Sequence, residues 1–510
     1  VYTLFDEGLV RDGRLTDVTS GRDVIERATR PFSPERVADA CGLTSTAIRD
    51  LARAFARAER AVCYARIGTC TQQFGSLATW LVDVLNALTN NLDEPGGAMF
   101  SMAAHEPRRP ERSAGGRGFE IGRWNSRIYD APEVLGEFPV ATLNDEIRTS
   151  GEGQIKALLT VAGNPVLSTP NGPALAESLA QLNFMVSIDP YLNETTRHAH
   201  VILPPPPPLT RSHYDISFYG FALRRVANFS APVWAAAPEA MPEWQIVMGL
   251  VGRLSGQTTE VEAVDDFLCR QMVSKEVNDK RSPLHGRSVD ALMKELGDRR
   301  GPDRMIDFLL RAGVYGDGFG ADPDGLSLDK LLAHPHGIDF GPLVPRLPDM
   351  LTTKSGRIEL APPLLLKDLD RLAQQLDETP PELVLIGRRH LRSNNSWMHN
   401  VPGLMTGRPR CTALIHPDDA AKAGVSDGEQ AQLRSSTGTI SVIVEIDEAI
   451  RPGVVSVPHG WGHDDEQTRL SVARQTPGTN VNELASTEAW DPLSGNAILN
   501  GVPVALTALC

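Results

Sequence analysis

Cysteine is scarce: six residues, at positions 41, 63, 70, 269, 411 and 510, are scattered through 510. None are paired as Cys-x-x-Cys, which excludes a recognisable zinc or iron–sulfur site within the chain. Scattered thiols in a large chain are mostly reduced core residues, so the expected compartment is the cytoplasm. No apolar run approaches the roughly 18 residues that span a bilayer, so no membrane span is expected. A secretory leader pattern is also lacking. Position 1 is Val rather than Met, and Val1-Tyr2-Thr3 reads like the interior of a longer chain. The N-terminus is therefore expected to be incomplete, which keeps a periplasmic location open. Basic residues are outnumbered, 50 Lys and Arg against 64 Asp and Glu, for a net charge of −14. That balance argues against nucleic acid or an anionic membrane surface as the main partner.

What is present is a globular composition, 41% hydrophobic and 22% charged. The length predicts two or three domains, with boundaries placed at 1–100, 101–375 and 376–510. Residues 156–204 are the most informative stretch. An apolar run at 157–161 has the length of a buried strand, and Ala162-Gly163-Asn164-Pro165 ends it in a tight turn. Leu175, Leu179 and Leu182 then lie on one helical stripe. A second strand at 184–188 stops at Asp189, and a third, Val201-Ile202-Leu203, runs into five prolines at 204–208. Strand, helix, strand with short links is the βαβ unit of a parallel sheet. Ligands of such sheets sit outside the carboxyl ends of the strands, where Gly163, Asn164 and Asp189 fall. The same residues also suit a plain turn and a cap.

Upstream, Ser33-Pro34-Glu35 predicts a helix start. A helix over 45–59 carries an apolar face of Ile48, Leu51, Ala52, Phe55 and Ala56. Residues 61–66 read as a strand, left by the polar turn Gly68 to Gln73 and followed by a helix lined by Leu81, Leu85 and Leu88. Residues 101–136, rich in Arg, Gly, Pro and Ser, read as a long irregular segment. A helix is expected over 243–254, with Trp244, Ile246, Val247, Leu250 and Val251 inward. Loops are expected over 316–348 and a linker over 372–381. Beyond it, short strands at 383–386, 429–435, 439–445 and 454–458, around a helix at 417–423, suggest a small β-barrel. Residues 388–400 concentrate guanidinium, amide, imidazole and indole groups in one loop, which is binding chemistry.

Four segments in order resemble the molybdopterin oxidoreductase family, the group of formate dehydrogenases and nitrate and dimethyl sulfoxide reductases. They are the run from Arg66 to Gln72, Val161-Ala162-Gly163-Asn164-Pro165 with Ile188-Asp189-Pro190, Ser355-Gly356-Arg357-Ile358-Glu359-Leu360, and the barrel. Within the barrel the matching runs are 388–400, His416-Pro417-Asp418-Asp419-Ala420 and Asn480-Val481-Asn482-Glu483-Leu484. The resemblance implies an α/β fold, with parallel-sheet Rossmann-like domains followed by a double-psi-like β-barrel. It also implies bis-molybdopterin guanine dinucleotide with molybdenum or tungsten. Gly163, Asn164 and Asp189 would then hold one guanosine and its phosphates, and Gly68 and Gln72 would face the partner pterin. Arg388, Asn394, Asn395, Trp397, Asn480 and Asn482 would clamp from the barrel side. His399, His459 and Trp461 are the pocket-facing candidates for catalysis, the histidines as proton carriers.

The departures from the family are equally specific. Its catalytic chains open with a cysteine cluster for a 4Fe–4S centre and then a metal ligand, neither of which is found in this sequence. Both are expected upstream of Val1. The place of a formate dehydrogenase's substrate-handling Arg falls near Ser101, which weakens a formate assignment. His200 stands where Asp is frequent. The expectation is the C-terminal portion of an oxidoreductase moving an oxygen atom or hydride on a small substrate, inactive alone. An electron-transfer subunit or redox carrier would be its partner. A non-catalytic scaffold that kept the fold is the alternative, and a metal-free nucleotide-binding enzyme is a third.

Overall fold

Three parallel strands, β1 (Ala157–Val161), β2 (Phe184–Ile188) and β3 (Val201–Ile202), form a sheet in that order. Ala157 is in register with Phe184, Val161 with Ile188 and Val186 with Val201. The helix Gly172–Leu179 links β1 to β2 and is N-capped by Asn171, whose side chain accepts the Ala174 N–H. It buries Leu175 and Leu179 against Ile147, Leu182 and Met185. The expected βαβ unit is therefore present. Its first strand is not the buried one predicted: Leu159 and Val161 are half-exposed, as is Phe184 beside them. The computed structural model describes residues 1–108, 120–256 and 260–509.

A seven-stranded sheet makes the C-terminal unit. Its members are β4 (Val384–Arg388), β5 (Thr412–Ile415), β6 (Gln430–Arg434), β7 (Thr439–Ile446), β8 (Val454–Pro458), β9 (Val502–Pro503) and β10 (Ala505–Ala508). They run in the order β9-β4-β8-β5-β7-β6-β10. The pairs β4·β8 and β5·β7 are parallel and the others antiparallel, so the sheet curls with mixed hand-offs rather than as a meander. Alternate residues of each strand point inward, as in the pattern of β7, and close a core of Leu385, Ile415, Leu433, Val444, Val455 and Val457. Pro417–Ala423 is a helix as predicted, started by Pro and stopped by Gly424 at a φ of 66°.

Elsewhere the expectations divide. Ser33 caps Pro34–Cys41 by accepting the Arg36 N–H, and Glu243–Leu254 is helical. Val251 faces outward there, however, and Leu51 is 69% exposed on Ser45–Arg57. The predicted strand at 61–66 pairs with no other strand. Side-chain amides take its backbone instead: Cys63 N–H donates to Asn86 Oδ1 and Asn86 Nδ2 to the Cys63 carbonyl, both at 2.9 Å. The expected loops at 316–348 contain the helix Leu328–Leu332 and the strand Ile338–Pro342, which pairs with Arg224–Ala227. The helix Pro363–Gln375 takes up the start of the expected linker. Within 101–136, Ile121–Asn125 and Pro132–Val134 form a two-stranded sheet, while residues 109–119 of that stretch lie outside the described residues, as does Cys510. The described cysteines are free thiols, but of these only Cys269, in the helix Val261–Asn278, is buried; Cys41 is exposed and Cys63, Cys70 and Cys411 are half-buried, so the expectation of mostly core thiols is not met. Among the described residues no helix is long and apolar enough to cross a membrane.

Candidate functional site

The carboxyl ends of β1 and β2 abut the barrel loops. Asn480 donates through Nδ2 to the Val166 carbonyl at 3.2 Å, and Asn482 through Nδ2 to the Leu167 carbonyl at 2.8 Å. Asn171 N–H returns a bond to the Asn482 carbonyl at 2.8 Å. These two predicted clamps thus span the junction with their amides engaged. The Gly68 turn reaches the same place from the other side. Asn500 Oδ1 accepts the Gly387 N–H at 2.8 Å, while Asn500 Nδ2 donates to Thr71 Oγ1 at 2.7 Å and to the Gly68 carbonyl at 3.3 Å. Three sequence-distant segments therefore converge where the predicted residues cluster. A Cβ built on Gly68 meets nothing within 4 Å, and one on Gly163 makes ordinary contacts with Val161 O at 3.7 Å and Pro165 Cδ at 4.0 Å. Both backbones leave room for a close approach. Gln72 is engaged locally, through Thr69 O and Phe74 N–H.

Asp189 is 5% exposed and sits at the end of β2. Its carboxylate accepts the Tyr191 N–H at 2.8 Å and Asn193 Nδ2 at 3.3 Å. Burial raises its pKa, and those two bonds oppose the rise. Both ends of the Asn164 amide are engaged: Nδ2 donates to Glu194 Oε2 and Oδ1 accepts from Thr195 Oγ1, both at 2.7 Å.

On the barrel side, Arg388 braces strands. Its guanidinium donates to the Ser456 carbonyl of β8 and, at 2.8 and 2.9 Å, to the carbonyl and hydroxyl of Thr412 in β5. Burial holds its pKa below the ordinary arginine value. The following loop takes a left-handed bend at Asn394 and Asn395, with φ of 40° and 58°, and Asn395 Oδ1 accepts from Arg389. Trp397 is 47% exposed. Around this loop three adjoining hollows are walled by Arg388, Arg389, Arg392, Arg408, Arg410 and His390, with the carboxylates Glu445, paired with Arg408, and Asp447 in one of them. In a chain of net charge −14 this is a local concentration of positive charge.

His399, Trp461 and His459 lie at the back of these loops. The His399 and Trp461 rings pack at a tilt of 31° with centroids 4.0 Å apart. Desolvation first, then the neighbouring His463, pushes His399 down to about 3, and burial takes His459 to about 4, so both rings are neutral. Two residues not selected from sequence complete the group. His463 Nε2 lies 2.9 Å from His399 Nδ1, and His463 Nδ1 lies 2.8 Å from Glu194 Oε1. All three side chains are nearly inaccessible, at 1% for each histidine and 3% for Glu194. Polar atoms remain without hydrogen-bond partners here: His390 Nε2, His399 Nε2 and Trp461 Nε1. The Gly460 backbone favours a charged His399 ring but lies outside hydrogen-bond geometry. Three glycines allow the packing. A Cβ on Gly460 would fall 2.3 Å from Asn395 O, one on Gly462 2.7 Å from Asn480 Cβ, and one on Gly478 2.7 Å from the Trp461 ring.

The chain is similar to known proteins in sequence and in fold. Residues 43–250 match the molybdopterin oxidoreductase family model, and residues 383–503 match the molydopterin dinucleotide binding domain. A tetrathionate reductase component from Salmonella typhimurium is 22% identical over 96% of this chain and 56% of its own length. The menaquinone reductase molybdopterin-binding-like subunit of Nitratidesulfovibrio vulgaris is 23% identical, over 94% and 58%. The dimethyl sulfoxide/trimethylamine N-oxide reductase of Cereibacter sphaeroides is 23% identical, over 91% and 57%. The chain thus spans little more than half the length of these curated relatives. In fold it is similar to acetylene hydratase from Pelobacter acetylenicus, with a TM-score of 0.69 at 16% identity, covering 100% of this chain and 69% of that one. The motifs, the junction they build and these matches lead to one conclusion: the chain belongs to the molybdopterin oxidoreductase family.

Proposed function

We infer that this chain holds a bis-molybdopterin guanine dinucleotide, with molybdenum or tungsten, between the βαβ unit and the barrel loops. The loaded protein is then an oxidoreductase acting on a small substrate. The set of buried ring nitrogens without partners, His390 Nε2, His399 Nε2 and Trp461 Nε1, carries this reading. Each costs about 1–3 kcal/mol while unmade, and a heterocyclic ligand offering matching groups removes that cost. The arginine-walled hollows suit phosphates, and the open backbones at Gly68 and Gly163 suit a large ligand lying across the junction. In this reading Gly163, Asn164 and Asp189 border one guanosine, and Gly68 and Gln72 border the other pterin. Arg388, Asn394, Asn395, Trp397, Asn480 and Asn482 shape the barrel side.

When bound, such a cofactor supplies two-electron chemistry, as oxygen-atom or hydride transfer. The chain's own contribution is to bind and orient it, to exclude water, and to hold His399 and His459 as neutral hydrogen-bonding rings, since burial pushes both well below the range in which a histidine carries protons. The substrate class is a small molecule such as an S- or N-oxide, nitrate or formate. Among the described residues no group of three His, Cys, Asp or Glu is placed to hold a metal ion. The same reading includes a 4Fe–4S cluster and an electron-transfer subunit or carrier as the electron route, in a cytoplasmic setting.

Acid treatment of folded protein, produced in a host that makes the cofactor, should release guanosine monophosphate together with molybdenum or tungsten. Folded protein that carries neither would overturn the reading.

A further inference from the structure

A further cleft shares no residue with the hollows around the barrel loops. It opens between the second half of the helix Gly75–Leu88 and residues 347–360, and encloses about 380 Å3. That volume lies within the range of small-molecule sites. Trp80, Asp83 and Ala87, spaced three and four apart, put one face of the helix on the cleft. Trp80 is held there by its Nε1, which donates to the Leu360 carbonyl at 2.9 Å. Phe100, Leu347 and Leu351 wall the other side. Two side chains in this apolar lining ionise, Asp83 and Glu359, and both are acids. No Lys, Arg or His lines the cleft.

Ser355 Oγ donates to Glu359 Oε1 at 2.6 Å, whereas Asp83 has no hydrogen-bond or ion-pair partner among the described residues. Asp83 opens to solvent on one side and is backed by apolar groups on the other. That partial loss of water raises its pKa, with no neighbouring cation to oppose the rise. Such a lining selects by charge. An apolar anion is repelled by both carboxylates, and a neutral apolar molecule takes water from them without replacing it. A bare metal ion needs more oxygen ligands than two acids beside hydrocarbon supply. A cation with an apolar body meets both parts, and aromatic side chains such as Trp80 and Phe100 are the partners such cations favour. We propose that this cleft binds a small apolar cation of the alkyl- or arylammonium class, with Asp83 and Glu359 as its counter-charges. The Gly68 turn packs at the other end of the helix, where Gly75 lies against the Cys70 carbonyl. Asp83 stands about 12 Å along the axis from Gly75, so occupancy of the cleft does not depend on a cofactor at the barrel loops.

Calorimetry of the full 510-residue chain at low ionic strength tests this with two probes of similar size and opposite charge. Benzyltrimethylammonium should bind at one site, about tenfold more tightly than 3-phenylpropionate. The double variant Asp83→Asn/Glu359→Gln should weaken the cation about tenfold and erase the preference. Glu152→Gln/Asp298→Asn removes the same charge from exposed positions outside the cleft and should change nothing. Ala87→Leu, which fills the cleft from the helix face, should abolish binding while both acids stay in place.

Equal affinity for the two probes, or an equal loss in the two double variants, would overturn the proposal, because the net charge of −14 would then account for the attraction. No binding of the cation to the wild-type chain would overturn it too, as would undiminished binding to Ala87→Leu. If Asp83→Asn/Glu359→Gln failed to fold, the wild-type comparison and Ala87→Leu would still decide.

Discussion

Asn482 donates its side-chain N–H to the Leu167 carbonyl at 2.8 Å, joining residues 315 positions apart. With Asn480 on Val166 O, it ties the barrel to the turn after β1. Both amides are buried, so truncation leaves a carbonyl without its donor. Asn482→Ala should lower unfolding free energy by about 1–2 kcal/mol in a urea titration. An unchanged midpoint would show that the junction does not depend on this bond.

Arg388 donates to two strands from a third, so its removal affects the sheet as well as the cleft. Arg388→Ala should cost about 2–3 kcal/mol of stability and cut cofactor retention on purification. Arg388→Lys keeps the charge without the fork and should recover less than half of the stability. Full retention of both properties in Arg388→Ala would remove this residue from the site.

The pH dependence follows from the neutral rings. His399 and His459 have folded pKa values of about 3 and about 4, against an ordinary 6.5. Below pH 6.5 the unfolded chain binds protons that the native rings refuse, so stability falls as pH drops from there toward 4. Each ring contributes a slope of up to about 1.4 kcal/mol per pH unit. Urea midpoints across this window should show the fall, and His459→Gln should make it shallower. A flat profile would mean that the rings charge freely in the native state.

Asp189→Asn tests nucleotide recognition. The Tyr191 N–H can still be accepted by an amide oxygen, so the fold should persist by circular dichroism. Loss of a charge-assisted contact of about 1.5–3 kcal/mol should weaken guanosine monophosphate binding about 10- to 100-fold. Equal affinity in calorimetry would dissociate Asp189 from the nucleotide.

The βαβ unit was legible because strand length, Gly-Asn-Pro and the leucine stripe all appear within 50 contiguous residues. The barrel was legible for the same local reason, turn residues between short apolar runs. Residues 61–66 misled because an extended apolar run looks alike whether a strand or the amides of Asn86 and Asn91 satisfy it. Glu194 and His463 were invisible as partners, since 269 residues separate them and only the docking of barrel on sheet brings them together. Val251 and Leu51 show the same limit from the other side: periodicity marks a face, but packing decides whether it is covered.

Gly460, Gly462 and Gly478 all have positive φ, at 92°, 115° and 64°, and no room for a Cβ. In a saturation library these positions should therefore tolerate almost nothing, whereas Gly68, with open space around it, should accept small residues until a ligand is added. Depletion profiles collected with and without cofactor supply would then separate glycines that shape the protein from glycines that make way for its guest.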